Sequence, residues 1–490
     1  MASTYRNTAI ALCALLAWSS VAQALNPQPP VLVSRRQTDG QPAFAYCAAP
    51  RFDASTRFLG FGCDGFLTLG DTNDRSDSFL LDRVTGVMEL ISRSSTGEQT
   101  RYPSGGGIPS EDGNRVVFLG TGPLHPDYGP PPQLEVGRNA IYLRHRDSGQ
   151  TELISRDAFG ANLWGAGVSF PDANLARNEV LFSYNGDIRV GPDPSNNIAE
   201  QLWVRNWETG EVELVSATPA GMPSLGGGSV GKFSASGRYV VFSNAGNDLG
   251  PAARPNDQNL YLRDRVTGNI ERLTYPWQGG EFQAPPPFQF YISSGPRVSA
   301  DGRFVVFSSN SGELHPDSPG DGGSYVYLLD RQNGQLDLLS RTPGYVSGNF
   351  SPDISDDGRY IAWMSRNFSF QGPANPPPSM RALWVLDRQT GQRVNVAESL
   401  GPLDGDTGIS LDLSGDGSMI AFTWRIADPT HPQYRLDMVY TVDLRGPQPY
   451  VAPQPVPIMP DRWALYGLGS LLLLLGLRRL RRHVAAVQRG

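Results

Sequence analysis

Leu124-His-Pro-Asp127 and Leu314-His-Pro-Asp317 put an imidazole beside a carboxylate twice in one chain. His125, Asp127, His315 and Asp317 are residue types that can hold a metal or exchange protons as acid and base. A repeated His-Pro-Asp is more commonly a loop closure in which the imidazole bonds backbone, and that reading stays open beside the chemical one. Asp71-Thr-Asn-Asp-Arg-Ser-Asp77 spaces oxygen ligands at Asp71, Asn73 and Asp77. Calcium suits such a set, although the glycine and closing glutamate of an EF-hand loop are missing. No other cofactor is expected, because the chain has no phosphate loop, dinucleotide fingerprint or zinc spacing. Gly227-Gly-Ser-Val-Gly231 has the form of a nucleophile elbow but leads into a strand, where an elbow needs strand, turn and helix. No residue is therefore assigned a catalytic role.

The elements that must position these residues are short and repeated. With 55 Gly and 41 Pro among 490 residues, and only 18% charged, the chain excludes long helices, coiled coils and wholesale disorder. The segment 296–307, Pro-Arg-Val-Ser-Ala-Asp-Gly-Arg-Phe-Val-Val-Phe, recurs at 232–242, 353–363 and 412–422, and in more worn form at 50–61, 108–118 and 173–182. The closing aromatics Phe61, Phe118, Phe182, Phe242, Phe307, Trp363 and Phe422 recur every 56 to 65 residues, the spacing of a repeat architecture.

Each repeat reads as four strands, a to d. Strand a ends in a Ser-x-Asp-Gly turn, b is the Arg-Tyr-Val-Val-Phe run, c alternates as in Asn259-Leu-Tyr-Leu-Arg-Asp264, and a turn such as Arg265-Val-Thr-Gly268 leads into d. Radial stacking buries both faces of such sheets and is the β-propeller solution. The seventh repeat lacks its own strand d, while Val31-Leu-Val-Ser-Arg35 is an orphan d before the first a. The expectation is all-β: one seven-bladed β-propeller of four-stranded antiparallel blades, closed by the N-terminal strand pairing with Val439 to Leu444. Eight blades or an open array is the runner-up.

Ser-x-Asp-Gly-Arg-(Tyr/Phe)-x-x-(Phe/Trp) followed by Asp-Arg-x-Thr-Gly resembles TolB-type propeller repeats over residues 31 to 445. The resemblance implies a fold that hosts periplasmic protein binders, peptidase gating domains and lyases alike, so it sets no activity.

The ends read as addresses. Residues 1–24 carry Arg6, an apolar run and Ala22-Gln23-Ala24, the pattern of a secretory signal peptide. The propeller is expected over 25–445, a Pro-rich linker over 446–460 and a C-terminal tail over 461–490. The tail's apolar stretch Trp463 to Leu477 would make one hydrophobic helix of ~22 Å, short of the ~30 Å hydrocarbon core unless flanking residues snorkel. Arg478, Arg479, Arg481 and Arg482 orient such a helix with its C-terminus in the cytoplasm. Val456-Pro-Ile-Met-Pro460, Trp463, the Leu run and the arginines resemble C-terminal sorting tails of the Ile-Pro-Thr-Leu class in Gram-negative bacteria, with Met459-Pro460 where that class has Thr-Leu. The resemblance implies sorting-tail processing machinery as a partner and a tail that is either cleaved or kept as a membrane anchor. The protein is expected in the periplasm or at the cell surface, where Cys47 and Cys63, on paired strands, form a disulfide.

Without the seven arginines and one aspartate of the two ends, 34 cations face 47 anions, a balance that argues against nucleic acid as partner. The a/b and c/d turns, short and uniform, share one face of the propeller. The b/c and d/a connections are long, vary in length and share the other, which marks the binding face. Trp164, Tyr184, Trp277, Phe290 and Tyr291 fall in that set; such aromatics are enriched at interfaces and can equally cover the blade they leave. The leading expectation is a non-enzymatic, envelope-anchored scaffold that binds an envelope protein or surface glycan through this face. The alternative is a lyase or hydrolase acting on an extracellular polymer at the propeller mouth, with the two His-Pro-Asp motifs as its candidates.

Overall fold

The computed structural model describes residues 24–128, 139–163, 168–190, 199–250, 258–282, 292–341, 346–368, 381–400, 410–427 and 435–446. The chain divides into two units, Met1–Gln448 and Pro449–Gly490. The second lies wholly outside the described residues, as do the signal-peptide stretch through residue 23 and the hydrophobic tail.

Seven four-stranded antiparallel sheets form, each ordered a-b-c-d, as the repeats require. The a strands are Cys47–Phe52, Ser104–Pro109, Ser169–Asn174, Ser229–Phe233, Ile292–Val298, Val346–Ile354 and Leu411–Leu413 for blades 1 to 7. At most junctions the a strands of adjacent blades touch, which places them innermost, around the axis. The core lies between blades: Val241, Leu260 and Leu262 of blade 4 pack with Val305, Phe307 and Tyr327 of blade 5, and Phe61 and Phe79 of blade 1 with Met419, Ala421 and Val439 of blade 7. Every closing aromatic of strand b faces an aromatic on strand c: Phe61 and Phe79, Phe118 and Tyr142, Phe182 and Trp203, Phe242 and Tyr261, Phe307 and Tyr327, Trp363 and Trp384, Phe422 and Tyr440. Such cross-strand pairs stabilise each sheet while their buried area cements the next.

The repeat signature joins blades. In the Ser-x-Asp-Gly turn of blade 5, Ser299 donates to Asp301 (2.6 Å) and Asp301 accepts the Arg303 N–H (2.9 Å). Arg303 then grips Asp330 at the end of strand c with two bonds, of 2.9 and 2.7 Å. An arginine just past the end of strand c reaches back to the preceding blade: Arg388 lies 3.8 Å from the Phe304 ring centroid, Arg445 5.0 Å from Tyr360 and Arg146 5.7 Å from Phe58. The same rings exclude a side chain at the turn glycine. A Cβ on Gly358 would stand 2.3 Å from Phe304, and its φ of 71° also favours glycine.

The N-terminal segment closes the ring. Val31–Leu32 pairs with Thr441 and Tyr440, and the Val33 N–H donates to the Val439 carbonyl (2.8 Å). The regular strand is shorter than the Val31 to Arg35 expected, because Ser34 turns its hydroxyl to accept the Val439 N–H (3.2 Å). Ser92, Ser155, Ser216, Thr274, Ser340 and Asn395 do the same for strand c in blades 1 to 6. Ser34 thus occupies the strand d position of blade 7 chemically as well as topologically. In blade 1, Cys47 faces Cys63 in register, and the two form the expected disulfide.

Candidate functional site

The site with the most charge stands on the axis, and its residues escaped the sequence reading. In blades 1 to 6 the a/b ladder breaks register just before one position: between Ala48 and Arg51, Gly105 and Ile108, Ser169 and Asp172, Ser229 and Lys232, Ser294 and Arg297, and Phe350 and Asp353. Inside these breaks Ala49, Gly106, Val230 and Ser351 take positive φ of 52°, 68°, 46° and 51°. A bulge bends its strand and re-aims the next side chain. The re-aimed residues are Arg51, Ile108, Asp172, Lys232, Arg297 and Asp353, with Asp412 at the same point of the seventh repeat. Three cations and three carboxylates thereby meet on the innermost strands.

They neutralise one another across blade junctions. Arg51 Nη1 bonds Asp412 Oδ1 at 2.8 Å, Lys232 Nζ reaches Asp172 Oδ1 at 3.3 Å and Arg297 Nε reaches Asp353 Oδ1 at 3.2 Å. Each aspartate's other oxygen accepts a backbone N–H from the next blade: Phe52 to Asp412 (2.7 Å), Phe233 to Asp172 (3.0 Å) and Leu413 to Asp353 (2.9 Å). Burial works against the charge of Arg51, yet Asp412, Asp172 and Asp353 together hold its pKa above the ordinary value. Burial likewise opposes ionisation of Asp172, but Lys232, Arg51 and Arg297 keep its pKa low. Lys232 is pushed down to about 7, by burial first and by the two arginines second, against the pull of Asp172. Asp353 is pushed up by burial and by neighbouring Asp412, with Arg297 opposing. A largely buried layer whose charges balance works as a clamp between blades. The single available signal was Lys232, the only lysine in the chain, standing at an alignable repeat position.

The two His-Pro-Asp motifs lie on the b/c loops of blades 2 and 5, three places apart in the ring, and no hydrogen bond or ion pair joins them among the described residues. In each, the histidine Nδ1 accepts the N–H of its own aspartate (3.1 Å for both His125 and His315). Leu124 and Leu314 are buried beneath. Asp127 binds Arg156 at 2.7 Å, and Asp317 lies 3.7 Å from Arg341. Arg156 accordingly holds the Asp127 carboxyl below its usual range. This is loop closure.

At the proposed calcium position, Gln99 Nε2 bridges Asp71 (3.1 Å) and Asp77 (3.3 Å), Ser92 donates to Asp77, and Asn73 turns its amide to the Thr100 carbonyl (2.9 Å). Burial raises the Asp77 carboxyl to about 6. Among the described residues no three His, Cys, Asp or Glu side chains gather as a metal site. Ser229 of the elbow-like motif hydrogen-bonds Ser243 (3.0 Å).

Of the aromatics expected on the loop-rich face, Trp277 is 52% exposed. Tyr184 corrects the reading: it is the last residue of strand b of blade 3, Glu179–Tyr184, and packs partly buried against the core rather than on a loop. Trp164, Phe290 and Tyr291 lie outside the described residues. The face carries other exposed apolar side chains that the sequence reading passed over: Phe66 and Leu69 on the b/c loop of blade 1, Val190 on that of blade 3, and Phe159, Met222, Leu225 and Tyr275 on d/a connections. They went unnoticed because a lone apolar residue in a loop has no periodicity to mark it.

No protein-family model matches the chain, and no curated protein matches it. Among solved structures it is similar to an oligogalacturonate lyase in complex with manganese, at 14% identity over 86% of this chain and 98% of that one, with a TM-score of 0.47. It is also similar to an oligogalacturonate lyase from Vibrio parahaemolyticus, at 13% identity, 87% and 98% coverage and a TM-score of 0.49. The β-propeller domain of the Trilobed protease from Pyrococcus furiosus, reported to have an open velcro topology, matches at 13% identity, 84% and 100% coverage and a TM-score of 0.46. Likenesses this distant carry nothing about activity, ligand or partner. The class, a seven-bladed β-propeller closed by its N-terminal strand, stands on the chain's own sheets.

Proposed function

We propose that the protein is an exported binding scaffold, held at the envelope of a Gram-negative bacterium by its C-terminal tail, which engages an envelope protein or surface glycan through the b/c and d/a loops. The observation that carries this reading is how many exposed large apolar side chains the loops of that face carry. Leu69, Leu225, Phe159, Val190 and Met222 are 86%, 81%, 75%, 63% and 62% exposed, whereas the opposite turns contribute chiefly Val84 and Val266. Large apolar side chains left exposed on the loops of one face and few on the other mark the face that meets a partner. The four residues considered for catalysis each have a loop-closing partner, which favours the scaffold over the polymer-degrading enzyme.

The test is site-specific photo-crosslinking in the native envelope. A photoreactive residue at Phe159 or Trp277 should give a discrete adduct that the same residue at Val266 does not. Adducts equal at all three positions, or absent from both loop positions, overturn the reading.

A further inference from the structure

A cleft of about 340 Å³ opens at the junction of blades 7 and 1, lined by Arg36, Phe44, Tyr46, Asp64 and Phe66 over a floor that includes Ala43, Ala45 and Leu436. It lies on the loop-rich face, because Tyr46 enters strand a of blade 1 and Asp64 leaves strand b. We propose that this cleft is a subsite for a neutral pyranose sugar, its ring stacked on the aromatic walls and its hydroxyls shared between Asp64 and Arg36.

The walls are built and held. Phe44, Tyr46 and Phe66 are 40%, 50% and 50% exposed, unlike the buried aromatics of the blades. Phe44 sits at φ 51°, a conformation that a bulky side chain rarely adopts and that persists only where its surroundings impose it. The chain's described disulfide anchors both sides of the cleft, since Tyr46 precedes Cys47 and Asp64 follows Cys63. Tyr46 and Asp64 are tied twice more: the Tyr46 N–H donates to Asp64 Oδ1 (2.6 Å) and the Asp64 N–H to the Tyr46 carbonyl (3.1 Å). Gly65 admits no side chain, because a Cβ there would stand 2.6 Å from that of Ala45. The floor is therefore closed tightly while the rings stay open to solvent.

The polar groups select the occupant. Asp64 Oδ2 has no hydrogen-bond partner among the described residues, and burial pushes the carboxyl's pKa up, so it gains by accepting a donor. Arg36 is already neutralised by Asp39 at 2.8 Å and still has guanidinium N–H groups to donate. A pyranose offers a C–H face for an aromatic wall and hydroxyls that both donate and accept, matching one acceptor and one donor side by side. A uronate would meet Asp64 and the chain's acidic balance, which favours a neutral sugar. An extended peptide can pair its N–H with Asp64 and its carbonyl with Arg36, but its backbone presents no flat C–H face to the aromatic walls.

The inference rests on reading the loop-rich face as a binding surface, and its test can fail independently. Maltohexaose, cellohexaose, N-acetylchitohexaose and an oligogalacturonate would be titrated into the whole protein, followed by saturation-transfer NMR and calorimetry. At least one neutral oligosaccharide should bind in the micromolar to millimolar range, and Tyr46→Ala, Phe66→Ala and Asp64→Asn should each weaken it about tenfold or more. Val266→Ala should leave it unchanged, and melting temperatures would verify that every variant folds. No binding by any neutral sugar, equal binding by the wall variants, or preference for the oligogalacturonate overturns the subsite. A Trp277 adduct without sugar binding removes the subsite and leaves the scaffold standing. Sugar binding lost on wall truncation supports the subsite whatever the crosslinking shows.

Discussion

Lys232 shows how one residue is governed by its surroundings. An exposed lysine would hold its proton to 10.5, whereas within the axial clamp it releases it near 7. Between those values the unfolded chain binds the extra proton, so this group's contribution makes stability rise with pH, by on the order of a few kcal/mol across the window. Below the folded value the amine is charged in both states, and the full cost of its burial is present. Lys232→Met takes from Asp172 the amine at 3.3 Å and should be less stable than the parent, and it should also lack the parent's upward slope between pH 7 and 10. Urea denaturation at several pH values measures both; parallel pH profiles would refute the assignment. The lysine was visible in the sequence as the only one of its kind, but its meaning was not, because the bulge in its own strand that aims it inward has no sequence signature and the arginines that oppose it come from other blades.

At the scale of the element, the informative piece is the first strand. Its identity could be read from Val31-Leu-Val-Ser-Arg35 because it copies the strand d of other repeats, and the hydrogen bond from Val439 to Ser34 reproduces the contact made by Ser92 or Ser155 in their own blades. Deleting residues 25–36 removes the outer strand of blade 7 and exposes an edge. The expected result is a melting temperature lower by ~10 °C or more and visible aggregation, whereas truncation after Gly446 should leave melting nearly unchanged. Calorimetry of the two truncations checks this, and equal melting would mean that the strand contributes no closure. The b/c and d/a loops were far less legible than the strands, since their lengths vary between copies and no period constrains them. Tyr184 was misplaced for that reason: a strand end adjoining a long loop looks the same as the loop itself.

The propeller is a ring, and a ring has one junction that chain connectivity does not make. Blades 7 and 1 meet through the N-terminal strand on the outside and through Asp412, Arg51 and the Phe52 N–H at the axis. Asp412→Ala should cost ~2–4 kcal/mol, because it removes the carboxylate bonded to Arg51 and leaves the Phe52 N–H without its acceptor, and adding Arg51→Met should recover part of that loss. A loss below ~1 kcal/mol in denaturant titration would show that the axial pair is a solvated contact and no clamp. Blade number, strand order, the closing strand and the disulfide were determined by the sequence alone. Periodicity and copied motifs are local, and each repeat states its own strands without reference to the others. The axial charge clamp, the loop-closing role of the His-Pro-Asp motifs and the aromatic cleft beside the disulfide were decided only by the tertiary structure. Each depends on partners outside its own strand or loop, from Arg156 beside Asp127 to Asp412 beside Arg51, which no local pattern announces and the packed propeller alone brings together.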